Sequence, residues 1–229
     1  MLNRGWSLSL ALFPLLVILF ILFPAIDLWI SQFFWQPAEG FWGEQLGLFT
    51  WVHRNIKFLI AVVLVVMLSA WLLSTWRRAP PWLKAHRKSL SYLLLVFLLG
   101  PGLLVNLVFK DQWGRARPHQ VANFGGDKQF TPAWIPSNQC GHNCSFVCGD
   151  ASVGFALLAG IFLSRRPRRW FIASLVVGGF LGFMRVAQGG HFFSDVIFSW
   201  YAVACSIWLL AYWRNLHNAR AVRLVAQPT

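Results

Sequence analysis

Met184-Arg-Val-Ala-Gln-Gly-Gly-His-Phe-Phe-Ser-Asp195 lies where one apolar run breaks, at Gly189-Gly190, and another begins. A helix that starts near the histidine puts His191 and Asp195, four residues apart, on one face. A carboxylate there accepts from one imidazole nitrogen and leaves the other basic and free to attack. Arg185, just upstream, carries a planar fork suited to an oxyanion. Taken alone, the same residues also read as a capping histidine beside a solvated aspartate. The rest of the chain decides between the two.

The surroundings are those of a membrane protein. Of 229 residues, 57% are hydrophobic and only 12% charged, with 14 Trp and 21 Phe. A soluble domain carries roughly a quarter charged residues. Apolar runs near the length needed to cross a bilayer, about 20 residues, recur at about 7–26, 56–76, 89–109, 150–164, 170–188 and 192–213. The expected fold is all-α, a single polytopic bundle over residues 1–229 of about six transmembrane helices. The net charge of +13 sits between apolar runs, so it reads as topology signal and lipid-headgroup contact, with no nucleic-acid partner expected.

Arg77, Arg78, Lys84, Arg87 and Lys88 follow the second run, and Arg165, Arg166, Arg168 and Arg169 follow the fourth. Arg4 precedes the first; Arg214, Arg220 and Arg223 follow the last. With six spans all four sets fall on one side, which the positive-inside rule makes cytoplasmic, both termini included. Segments 27–55 and 110–149 and the Gly189-Gly190 break then face outward. The first of these, with Asp27, Glu39 and Glu44 among four tryptophans, reads as an interfacial anchor, as do His53 and His86.

Two more stretches on the outer side carry chemistry. Lys110 and Arg117 stand two helical turns apart before Pro118 ends the helix. Cys148, Gly149 and Asp150 open the fourth run, where a helix N-terminus offers amides to an anion. Three cations, helix-end amides and a carboxylate-oriented histidine are what a tetrahedral phosphate needs.

These motifs resemble the type 2 phosphatidic acid phosphatase family, whose pattern is Lys-x6-Arg-Pro, Pro-Ser-Gly-His and Ser-Arg-x5-His-x3-Asp. Lys110, Arg117 and Pro118 match the first; Arg185, His191 and Asp195 match the third, with Met184 in place of Ser. The likeness covers a core of about 85–213. It implies phosphate binding by Lys110, Arg117 and Arg185, a phosphohistidine at His191, and Asp195 as its orienting group. No metal and no cofactor are implied, and no obligate protein partner. The middle motif departs: Cys148 stands for the phosphate-binding Ser and Asp150 for the histidine that protonates the leaving group, while Gly149 is kept.

An aspartic acid titrates roughly two to three units below an imidazole, and nearby cations lower it further, so only desolvation keeps it protonated at neutral pH. A weakened acid hurts least with a good leaving group, which favours a diphosphate or an anomeric sugar phosphate. The Ser-Phe-Val and Gln-Gly-Gly-His runs are similar to those of lipid A 1-phosphatase-like members. His119 and His142 are alternative proton donors. The expected protein is a lipid phosphatase of the bacterial inner membrane, its lipid phosphate substrate held at the periplasmic face. A phosphotransferase between lipids and a non-catalytic phospholipid-binding relative are the other readings. Cys140–Cys144 pairing would leave Cys148 free for the site; Cys205 is expected buried in the last span.

Overall fold

The computed structural model describes residues 2–225, with side chains placed for 11–213. The side chains of Arg4, Arg214, Arg220 and Arg223, used above for topology, lie outside the described ones. Helix α1 (Leu2–Leu22) is followed by α2 (Ala25–Gln32). The chain turns by 79° between them, where Pro24 caps α2 and carries no amide hydrogen to extend α1. A two-residue hairpin pairs Trp35–Gln36 with Gly40–Phe41, and the short α3 (Trp42–Gln45) leads into α4 (Gly47–Thr75). Pro81, at the first position, starts α5 (Pro81–Gln112). Within α5 the winding loosens to a π-helix over Leu98–Phe109, around Pro101. The helices α6 (Gly149–Phe162), α7 (Pro167–Ala187) and α8 (Phe193–Val225) complete the bundle.

The fold is all-α and polytopic. Among the described residues four helices are long and apolar enough to span, α4, α5, α7 and α8, and the bent α1–α2 pair makes a fifth when counted as one broken span. The fourth expected span, α6, is shorter. Its second half tightens to a 3-10 helix over Ala156–Phe162, and Leu158 and Ala159 are fully buried by protein. A Cβ on Gly154 would lie 2.5 Å from the Gly178 Cα, so α6 and α7 meet backbone to backbone. The buried share of the apolar stretch climbs from 6% in α4 to 56% in α8, which makes α8 the central helix. Cys205 nevertheless lies exposed on α8, not buried as expected.

Antiparallel succession brings the end of α5, the start of α6, the end of α7 and the start of α8 to one end of the bundle. The start of α4 joins them, because Phe49 and Ile56 pack with Leu181, Met184 and Ala187 of α7. The long segment between α5 and α6 folds over that end without long regular elements. It is pinned by Cys144 N–H to Lys110 carbonyl (2.9 Å), Ser145 N–H to Arg115 carbonyl (2.8 Å) and Cys148 N–H to Asp195 carbonyl (3.1 Å). Beneath it, Phe109, Trp113, Trp134, Phe146 and Phe198 make mutual edge and tilted ring contacts.

Candidate active site

His191 occupies the α7–α8 junction, where Gly189 takes a φ of +62° that favours glycine. Its ring is almost wholly enclosed, 1% exposed. Nδ1 lies 2.6 Å from the Ser145 carbonyl, so Nδ1 carries the hydrogen and donates it. Nε2 makes no hydrogen bond among the described residues and holds the lone pair. Burial, and then the charges of Lys110, Arg117 and Arg185, push the ring well below an ordinary histidine value of 6.5. A neutral imidazole with a fixed tautomer is a nucleophile.

Asp195 does not touch that ring as a hydrogen-bond partner: its Oδ2 is 3.7 Å from His191 Nδ1. Oδ2 instead accepts from the Ser145 hydroxyl (2.5 Å) and the Phe192 amide (2.8 Å). Asp195 therefore orients His191 at one remove, by holding the residue whose carbonyl holds the ring. Its other oxygen pairs with Arg115 at 2.5 Å. Arg115 is fully buried, bonds Asp27 (2.8 Å) and the Thr131 carbonyl (2.9 Å), and lies 4.3 Å from the Phe192 ring centroid. Asp27, expected at the interface, is 1% exposed and also receives the Ser194 amide at 2.9 Å.

The three expected cations converge. Lys110, Arg117 and Arg185 lie close enough to repel one another and to act on His191. Lys110 Nζ is 3.3 Å from Asn143 Oδ1, and Arg117 donates to the Asn143 carbonyl at 2.8 Å. Arg185 bonds Gln188 Oε1 at 2.8 Å, while its Nε is buried without a hydrogen bond. Gly149 lies close beside Lys110, where a Cβ would stand 3.1 Å from Nζ. Like charges gathered around a neutral histidine make a pocket for an anion.

A model of the PAP2 superfamily matches residues 89–219. The chain belongs to that superfamily. A lipid A 4'-phosphatase of Francisella tularensis subsp. novicida is 40% identical over 200 residues, 84% of this chain and 88% of the relative. One from Rhizobium leguminosarum is 32% identical over 81% of this chain and 85% of its own. A phosphatidylglycerophosphatase B of Bacillus subtilis is 29% identical over 49% of this chain and 52% of its own length. No solved structure matches the chain. This PAP2 member is thus a hydrolase, a multi-pass membrane lipid phosphatase. Its fuller-length relatives carry the 4'-position in their names, where its motifs had suggested the 1-position.

The variant middle motif of this PAP2 protein is placed as follows. Cys148 is fully buried among Tyr92, Val96, Ala151 and Phe155. Burial, then the nearby Asp150 charge, pushes its thiol up to about 12, so it is no thiolate. Cys140 and Cys144 form a disulfide and Cys148 is free. Asp150, the candidate proton donor, is buried but paired: its Oδ2 lies 2.6 Å from His53 Nδ1 and 3.5 Å from Arg185 Nε. Two basic groups at that range favour the carboxylate. His119 Nδ1 is 2.9 Å from the Gly189 carbonyl. His142 is 81% exposed and pairs with Asp111 at 2.8 Å, on the surface of the loop.

His53, Arg115 and Asp27 are the residues that sequence reasoning missed. For His53 a signal existed: Phe49, His53 and Ile56 follow helical spacing, and Phe49 and Ile56 are buried. That stripe turns His53 inward. For Arg115 and Asp27 nothing in the spacing gave their pairing away.

Proposed function

We propose that this protein removes the 4'-phosphate of lipid A through a phosphohistidine at His191, on the outer face of the membrane. The carrying observation is the neutral imidazole whose Nδ1 is committed to the Ser145 carbonyl, set among Lys110, Arg117 and Arg185. The cations take the non-bridging phosphate oxygens, Nε2 attacks phosphorus in line, and the ester oxygen leaves on the far side. Water then hydrolyses the phosphorus–nitrogen bond and frees phosphate. The names of the 40% and 32% identical relatives support lipid A as substrate.

The basic clusters 77–88 and 165–169 lie in the α4–α5 and α6–α7 connections and the first turns of α5 and α7, at the end of the bundle opposite His191. The positive-inside rule makes that end cytoplasmic, which supports an outward-facing site. An apolar cavity of about 320 Å³ is lined by Phe13, Leu104, Phe109, Trp134, Phe198 and Tyr201 among others, and Phe109 precedes Lys110 in the chain. It supports a lipid substrate that keeps its chains in the bilayer while its headgroup reaches the cations.

The test is purified protein in detergent with bisphosphorylated lipid A, read by mass spectrometry and free phosphate. Loss of the 4'-phosphate by wild type, abolished in His191→Ala, is the expected result, with an acid-labile phosphoenzyme trapped by quenching in base. Loss of the 1-phosphate instead would move the substrate position. Label passing to a second lipid instead of to water would make the protein a transferase.

A further inference from the structure

The leaving oxygen of a sugar 4'-ester is an ordinary alkoxide, so it needs a proton as the bond to phosphorus breaks. Neither Asp150, paired as a carboxylate, nor the Cys148 thiol is placed to supply one. We propose that His53, a residue outside the segment matched by the family model, is the proton donor, with Asp150 as its positioning residue. This rests on His191 being the nucleophile.

Three observations carry it. His53 Nδ1 is 2.6 Å from Asp150 Oδ2, so the Nδ1–H donates to the carboxylate and Nε2 is left for another partner. Asp150 Oδ2 is also 3.5 Å from Nε of Arg185, so His53 is joined to the phosphate pocket through a single carboxylate. The two histidines differ in access as the two roles require: the His191 side chain is 2% exposed and that of His53 36%. The enclosed ring suits attack on phosphorus, and the part-exposed one, on α4 beside Phe49 and Ile56, which pack against α7, suits meeting a departing lipid body.

In the first step the phosphorus–Nε2 bond to His191 forms and the phosphorus–oxygen ester bond breaks. The ester oxygen takes the proton from His53 Nε2 and departs as an alcohol. In the second step the now neutral His53 takes a proton from water, whose oxygen bonds to phosphorus as the bond to His191 breaks. Phosphate leaves, and both rings regain their starting states.

The test pairs lipid A with an alkyl-tailed nitrophenyl phosphate, whose leaving group needs no proton, using the full-length enzyme in detergent. His53→Gln is expected to lower kcat on lipid A by about 10²–10⁴-fold and on the nitrophenyl ester by less than ~10-fold. Asp150→Asn should show the same selectivity. Phosphoenzyme formed from the nitrophenyl ester by His53→Gln establishes that the variant's site is intact. An equal loss on both esters, or a loss on neither, overturns this inference alone. A wild type that releases no phosphate overturns it together with the reading of His191.

Discussion

Arg115 pairs with Asp195 at 2.5 Å, with both side chains at 0% exposure. The same guanidinium holds Asp27 of α2 at 2.8 Å. One buried cation thus ties the start of α8 to α2, and places the carboxylate that positions Ser145 beneath His191. Arg115→Ala would leave two carboxylates facing each other without water or a counter-charge. Breaking a buried pair in this way costs about 3–5 kcal/mol. Arg115→Ala is therefore expected to unfold at a markedly lower temperature in detergent, or to fail to accumulate, whereas His191→Ala keeps its midpoint. An unchanged midpoint for Arg115→Ala would contradict the buried pair.

The second prediction concerns pH. Burial and three neighbouring cations hold His191 well below 6.5 in the folded protein. As pH falls, the unfolded chain takes up this proton first, so the stability linked to the ring is complete above about 6.5 and lost toward the folded value. The unfolding midpoint of wild type should thus drop more between about pH 7.5 and 5.5 than that of His191→Gln. The same depression predicts that any fall in kcat/KM from protonating the proposed nucleophile sets in at lower pH than for an ordinary histidine. Parallel midpoint curves for the two proteins would count against a neutral, desolvated ring.

Cys148 should be inert. A buried thiol held at about 12 presents almost no thiolate near pH 8. In a Cys205→Ala background, which removes the exposed free thiol, N-ethylmaleimide is expected to leave native phosphate release unchanged. Stoichiometric labelling of Cys148 with matching inactivation would place it in reach of solvent and of the reaction.

The first and third motifs were legible because their geometry is local. Lys110 and Arg117, like His191 and Asp195, are near neighbours in the chain, but α5 ends at Gln112 and α8 begins at Phe193, so the loops and not the expected helical spacing bring each pair to the site. The finer contact was not: Asp195 stays 3.7 Å from the ring, because Ser145, 46 residues before His191 in the chain, brings its carbonyl in between at 2.6 Å. His53 was placed at the interface because its neighbours are apolar and aromatic, and its partner Asp150 lies 97 residues away.

By itself the sequence determined an all-helical membrane chain, the family motifs and the residues that gather positive charge around His191, since span length, apolar runs and motif spacing are properties of contiguous segments. Tertiary structure alone decided that Arg115 neutralises Asp27 and Asp195, and that Asp150 is joined to His53. Those facts come from desolvation: a charge taken out of water must find its counterpart wherever the fold presents one, and separation along the chain carries no record of which it will be.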